Sequence, residues 1–548
     1  MELSLAVSSG QLQVDKATGL RRNVVGNLIH YGTEETVICH EAPSELAKHN
    51  RGIVLAETDS DVQVFTDPFR SIPLFITRDD TGRVRLLSDL SELMSLPGVR
   101  LSVDRTGFWE CVLYESPLWT RTVFNEVKQA VAASKISVDK HTGRYEIERY
   151  WDFGIQEDVS ISSAKEAADG LHDRLSDIFQ RVEQNENYVI GLSGGMDSRV
   201  MAAYLSKYVP RERIKAFTYG YDPRILEYQS AKVVAEILGL SQPRFHKLGA
   251  DSYRDALSGL AIASGATVGM QHSHMYDVLL RNHQELAGCS HLSTLYTDAL
   301  FGYHAVAGHG ESHDRGTGYT RVLHSTTMDS DVKDGIQSDI DQIEAGFEPS
   351  SGFTRLQEFL YVTERHPKFH VYMMHLLRTL LPVRAPFLDY DLLRYTISLP
   401  AAFRHQKRIL DGLLDTHFPR LSLQRTPHIS SRFQSGGEIG SRWQFLHYKL
   451  LARLNSALAA ASRGRFMLLD KFATEVQGHN LRRYFAKELQ WSLEKCSELG
   501  LVSDEQRMAY ARIPLRSAGL SSRYQMINLA YLLDRFLKPA VSEHRKGI

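Results

Sequence analysis

Cysteine is scarce in this 548-residue chain: Cys39, Cys111, Cys289 and Cys496 lie far apart, with no CxxC pair. That excludes a disulfide framework and a thiolate zinc site, and leaves buried free thiols in a reducing cytoplasm as the expectation. Long apolar runs are missing too. None approaches the roughly 18 residues that a membrane span needs, and residues 1–10 lack the basic stretch and apolar core of a secretory signal. Charge of one sign is not in excess: 64 Lys and Arg face 65 Asp and Glu, for a net charge of −1. Bulk attraction to nucleic acid or to a membrane surface is therefore not expected, and neither is a partner here.

With 43% hydrophobic residues, the chain can bury substantial cores, and its length sets a prior of roughly two to four domains. One stretch organises the rest. Residues 188–199 read Tyr-Val-Ile-Gly-Leu-Ser-Gly-Gly-Met-Asp-Ser-Arg. The apolar first half predicts a buried strand, and the second half a turn opening a helix near Asp197. Adjacent Gly194 and Gly195 let the backbone approach a ligand where a Cβ would collide. Amide N–H groups and the positive end of the following helix then face an anion. Ser193, Asp197 and Ser198 add short polar groups. No Gly-Lys-Ser/Thr follows the glycines, so this is not a Walker loop.

After this stretch, strands are expected over 213–220 and 244–248 and a helix over 227–238, preceded by a helix over 162–183. Alternating strands and helices predict a parallel sheet, whose ligands bind at the carboxyl ends of the strands, where Ser193 sits. Residues 1–152 read differently. Short alternating runs such as 35–39 and 61–65, broken by turns at 80–82 and 140–143, predict a β-rich unit. From 330 onward the chain reads as mostly helical, with a long helix over 357–379 interrupted near Pro367 and an amphipathic one from Arg442.

Ser193 to Ser198 resembles the Ser-Gly-Gly-x-Asp-Ser pyrophosphate loop of ATP pyrophosphatases. The turn Asp67-Pro68-Phe69-Arg70-Ser71-Ile72-Pro73-Leu74 resembles the Asp-Pro-x-Gly-x-x-Pro-Leu segment of class II glutamine amidotransferase domains. Ser293, Asp298, Leu300, Phe301 and Gly302 match part of a second asparagine synthetase signature. Arg384, Pro386, Phe387, Leu388, Asp389, Leu399 and Pro400 match a third in order. The chain thus resembles the asparagine synthetase-like family, including β-lactam synthetases and lasso-peptide cyclases.

The resemblance implies an α/β fold: an N-terminal NTN-hydrolase-like αββα sandwich over 1–155, and a PP-loop synthetase domain with a parallel sheet and a helical C-terminal part over 156–548. It implies an amide ligase that uses ATP and Mg²⁺, activates a carboxylate as its acyl-adenylate, and releases AMP and pyrophosphate. Leu192, Ser193, Gly194, Gly195, Asp197, Ser198 and Ser293 would bind ATP or pyrophosphate. Asp197 and Asp298 would hold Mg²⁺, and Lys407 and Arg425 would be the catalytic cations.

The glutaminase of such families attacks with an N-terminal cysteine whose own α-amine is the base. Residue 2 here is Glu2 and the first cysteine is Cys39, so the sandwich is expected to be inactive. The nucleophile would be ammonia or a substrate amine, from a small molecule or a peptide. A cyclase of the lasso or β-lactam type, and a nucleotide-binding scaffold without catalysis, stand as alternatives; a homodimer is compatible with either. The histidines His304, His309 and His313 fit no zinc spacing.

Overall fold

A computed structural model of the chain describes residues 3–8, 11–17, 21–25, 28–32, 43–49, 51–96, 98–193, 195–220, 223, 225–269, 272–302, 328–347, 353, 356–422, 454, 473–512 and 519–537. Eleven strands among these precede residue 150: β1 (Leu3–Ser8), β2 (Gln11–Ala17), β3 (Arg21–Val25), β4 (Leu28–Gly32), β5 (Gly52–Glu57), β6 (Asp61–Thr66), β7 (Phe75–Arg78), β8 (Val84–Leu87), β9 (Lys128–Gln129), β10 (Ser134–Asp139) and β11 (Tyr145–Arg149). They form two sheets, β2-β1-β8-β7-β9 and β11-β10-β6-β5-β4-β3. Period-two alternation decides how these pack. Ile53, Leu55, Val62, Val64, Ile136 and Val138 of one sheet meet Ile76, Val84 and Leu86 of the other in a shared core. The opposite face of the first sheet sends Phe75 and Leu87 into a larger core with Phe108 and Trp109 of the helix Arg105–Tyr114. Leu46 and Ala47 of the helix Pro43–His49 cover Val54 and Phe65 on the far side of the second sheet. The layers are therefore helix, sheet, sheet, helix. The expected turns at 80–82 and 140–143 join β7 to β8 and β10 to β11; the run at 35–39 lies outside the described residues.

The remaining five strands form one parallel sheet: β12 (Asn187–Gly191), β13 (Ile214–Gly220), β14 (Arg244–Lys247), β15 (Cys289–Leu292) and β16 (Val383–Arg384), in the order β14-β13-β12-β15-β16. The central strand β12 pairs in parallel with β13 and β15. The helix Ala164–Gln180 feeds it. Ser163 caps that helix by accepting the Glu166 N–H at 3.1 Å. Ala167, Ala168, Leu171, Leu175, Ile178 and Phe179 form its buried stripe. Full burial of one such leucine contributes about 1.5–3 kcal/mol. Helices Met196–Tyr208 and Leu226–Leu238 follow β12 and β13, so the alternating segment carries the parallel sheet the pattern predicts.

The interruption at Pro367 takes a specific form. Leu356–Leu360 passes through a π turn at Tyr361–Arg365 into His366–Arg378. Proline has no N–H to give and crowds the carbonyl four residues back, and the widened turn accommodates both. The helix expected from Arg442 lies outside the described residues except for Leu454.

Candidate active site at the carboxyl edge of the parallel sheet

The loop leaves the end of β12. Leu192 N–H donates to the Phe217 carbonyl at 2.8 Å and its own carbonyl accepts from Thr218 Oγ1 at 2.5 Å, so it is stitched to β13 beside it. The Ser193 and Ser198 hydroxyls lie 3.2 Å apart, and Gly195 N–H donates to Ser193 Oγ at 3.3 Å. The helix then starts at Met196 with Gly195 as its N-cap, and no side chain caps it. Its first-turn N–H groups and dipole therefore face the loop without a side-chain acceptor, which is how a helix start receives a phosphate. Gly194 lies outside the described residues.

Asp197 sits in the first turn of that helix. Its Oδ2 accepts from Lys407 Nζ at 2.5 Å, and the same ammonium lies 2.5 Å from Asp298 Oδ1. Asp298 belongs to the short helix Thr297–Leu300 after β15, and Lys407 lies just before the helix Arg408–His417. Three residues from distant parts of the chain thus converge at the strand ends. Lys407 is held at φ 63, a left-handed backbone that is uncommon for a side-chain-bearing residue. Burial disfavours its charge, but Asp197 and then Asp298 more than offset that and hold its pKa above the ordinary lysine value. Burial likewise raises the Asp197 carboxyl, against the pull of Lys407. Asp197 Oδ1 is buried without a hydrogen-bond partner.

That orphaned oxygen and the Asp298 carboxylate suit a hard divalent cation. Among the described residues, no group of three or more His, Cys, Asp or Glu side chains could hold a metal. A cation here would complete its shell with phosphate and water oxygens, which is how Mg²⁺ is ordinarily held beside a nucleotide.

Ser293 ends β15. Its N–H donates to the Arg384 carbonyl at 2.9 Å and its Oγ accepts from Leu295 N–H at 3.1 Å. It also lines a cavity of about 140 Å³ with Gly191, Tyr219, His272, His274 and His291. Among the described residues, no acidic or basic side chain other than histidine lines it. Burial pushes the His272 imidazole down to about 3 and that of His291 to about 4, so both are neutral at pH 7. A larger groove of about 1150 Å³, lined by Asp173, Asp177, Asp391 and Tyr390 among others, contains none of the described loop residues.

Two residues of the third matched motif serve architecture. Arg384 pairs with Glu186 at 3.3 Å, and Asp389 caps the helix Tyr390–Ser398 through Leu392 N–H at 3.0 Å. Arg425 and the histidines His304, His309 and His313 lie outside the described residues.

Residues 170–285, from the helix before the loop to the approach to β15, match the family model described as asparagine synthase. That segment is similar to the asparagine synthase family. Over 141 residues the chain is also 30% identical to the NH(3)-dependent NAD(+) synthetase of Thermoplasma acidophilum, a match covering 25% of this chain and 57% of that protein. The chain thus spans little more than half the length of that relative. A solved structure, the NH3-dependent NAD synthetase from Campylobacter jejuni subsp. jejuni NCTC 11168 in complex with the nitrate ion, aligns at 14% identity over 34% of this chain and 98% of that one. Its TM-score is 0.19, too low to speak to the fold. The matched segment holds β12, the loop and Asp197, whereas Asp298 and Lys407 lie beyond it. Sequence reading missed Tyr296, Thr297 and His370, which shape the turn carrying Asp298; no motif residue marks them. No helix of the described residues is long and apolar enough to cross a membrane.

Proposed function

We propose that this chain is an ATP-dependent amide ligase that forms AMP and pyrophosphate. The observation that carries this reading is the convergence of Asp197, Asp298 and Lys407 beside an uncapped helix start. The loop N–H groups and the Ser193 and Ser198 hydroxyls would bind the β- and γ-phosphates. Asp197 and Asp298 would hold Mg²⁺, which neutralises triphosphate charge when bound. A substrate carboxylate attacks the α-phosphorus, the bond to the bridging oxygen of pyrophosphate breaks, and an acyl-adenylate remains. Ammonia or a substrate amine then attacks the acyl carbon, loses a proton, and expels AMP as the amide forms. Lys407, beside both carboxylates, would neutralise negative charge as it develops on the phosphates, and electrostatic stabilisation of this kind is usually the largest single contribution to such catalysis. The uncharged cavity at Ser293 suits a neutral portion of the nucleotide or of the acid.

Two readings of the substrate fit this site, an intermolecular ligase and a cyclase acting within one peptide or small molecule. Acid-dependent exchange of labelled pyrophosphate into ATP tests the adenylation step. Candidate acids are screened with the intact chain, and the active one is repeated with Asp197→Ala. Exchange that requires the acid and disappears in the variant is expected. No exchange with any acid or acid–amine mixture would favour a nucleotide-binding scaffold instead.

A further inference from the structure

The sandwich reaches the synthetase site through one rigid turn. Asp67, at the end of β6, is buried and organises it. Its Oδ1 accepts from Phe69 N–H at 2.8 Å, and its Oδ2 from Gly52 N–H at 2.8 Å and from Ser71 Oγ at 2.5 Å. The next residues project across to the parallel-sheet unit. Arg70 Nη2 donates to Tyr372 Oη at 2.9 Å and to Gln129 Oε1 at 3.0 Å, and the guanidinium lies 5.1 Å from the Tyr372 ring centroid. Arg378 Nη1 donates to the Ser71 carbonyl at 3.2 Å. Phe69 meets the ring of Tyr296 edge-on, with centroids 5.1 Å apart.

Tyr296 stands two residues before Asp298 and is itself in a strained conformation, φ 82. The contacts that hold it there include the Phe69 ring, its N–H donating to His370 Nδ1 at 2.9 Å, and its hydroxyl donating to the Val362 carbonyl at 2.8 Å. His370 is on the same helix as Tyr372 and Arg378. The turn at Asp67 therefore grips both the strained residue and the helix that hydrogen-bonds it.

Arg70 makes this arrangement hard to explain as generic packing. It takes φ 51, where glycine is at home, and it is fully buried, with Nε and Nη1 lacking any hydrogen-bond partner. A strained backbone and an incompletely paired buried cation persist only where the surroundings enforce them, and such features gather where geometry matters.

We propose that the sandwich is a positioning element of the synthetase site. Phe69 and Arg70 fix the Tyr296–Asp298 turn, and so fix the Asp298 carboxylate relative to Asp197. This rests on the role proposed above for the two carboxylates. The sandwich would then be required for the ligase half of the molecule.

The test uses the full chain and three variants: Phe69→Ala, Phe69→Leu and Arg70→Gly. Glycine accepts the left-handed backbone at 70, so that variant relieves the strain there while losing the Tyr372 anchor, and its thermal midpoint is recorded to establish that it folds. Two quantities are read: amide exchange over 294–301 in the nucleotide-free protein, and Mn²⁺ affinity in the presence of ATP by electron paramagnetic resonance. Faster exchange and about tenfold weaker Mn²⁺ binding are expected in Phe69→Ala and Arg70→Gly, on the scale seen when groups supporting metal ligands are removed. Phe69→Leu should fall between Phe69→Ala and wild type. Unchanged exchange over 294–301 in variants that remain folded would overturn the proposal. If wild type bound no Mn²⁺ with ATP, the ligase reading would fail, and amide exchange would still decide whether the turn is held from the sandwich.

Discussion

Lys407 stands between two carboxylates, and its removal would leave them facing each other without a cation. Breaking a fully buried pair costs about 3–5 kcal/mol. The Asp298 side chain is 46% exposed, so solvent screening reduces the expected cost of Lys407→Ala to about 1–2 kcal/mol. Denaturant unfolding at pH 7 should show this. The same variant should gain more stability from added Mg²⁺ than wild type does, because the space between the carboxylates is vacated. Equal Mg²⁺ effects in both proteins would argue against a shared cation site. At this scale the sequence was informative where neighbours in the chain are neighbours in the fold: Ser193 ends the loop's first half and lies beside Ser198, in the first turn of the helix that also carries Asp197. It was uninformative about Tyr296 and His370. Their part depends on the Phe69 ring contact and on a bond from the Tyr296 N–H to the His370 side chain, between segments distant in the chain, and neither leaves a pattern in the sequence.

Among the elements, the helix Ala164–Gln180 shows how packing overrides propensity. Gly170 lies in its middle, where alanine would ordinarily stabilise by about 1 kcal/mol. A Cβ added there would meet Tyr395 Oη at 2.2 Å and its Cζ at 2.8 Å. That tyrosine is fixed by a 2.8 Å bond to the Ala167 carbonyl and by Arg174 stacked at 3.8 Å. Gly170→Ala should therefore lower stability by about 1–3 kcal/mol, seen as a lower urea midpoint with an unchanged slope. A higher midpoint would show that the contact yields. The strands and helices of the parallel unit were legible because apolar periodicity and caps agree over whole segments. The edge strand β16 was not: two residues pairing with His291 and Leu292 carry no periodicity, and only the neighbouring strand makes them one. The π turn before Pro367 was legible as an interruption, though not in kind, since proline marks a break without dictating how the backbone goes around it.

Over the whole molecule, burial of ionisable groups sets how stability responds to acid. Burial holds the His272 imidazole at about 3, against 6.5 in the open chain. Below 6.5 the unfolded chain takes up a proton that the folded one refuses, so this group's contribution is intact above 6.5 and is lost as pH falls toward 3. Glu110 and Asp67 act oppositely, since burial raises their carboxyls and the folded chain keeps protons that the unfolded one releases. The histidine is therefore read by difference. Between pH 6 and 4, stability of His272→Gln should fall less steeply than that of wild type, by about 1.4 kcal/mol per pH unit. Parallel curves would mean that His272 is protonated in the folded chain. One core runs through both halves, from Phe69 and Phe108 to Leu171, Phe387 and Leu533. Composition foretold that such a core could exist; which surfaces it joins is settled by pairwise fit, which sequence does not display.

The most direct measurement is a crystal structure of the intact chain with ATP and magnesium. It should show the β- and γ-phosphates against the N–H groups of residues 193–198, a magnesium ion bound by Asp197 and Asp298, and Lys407 moved from the carboxylates toward the phosphates. Nucleotide bound elsewhere, or an empty loop with Lys407 still joining Asp197 to Asp298, would contradict the account.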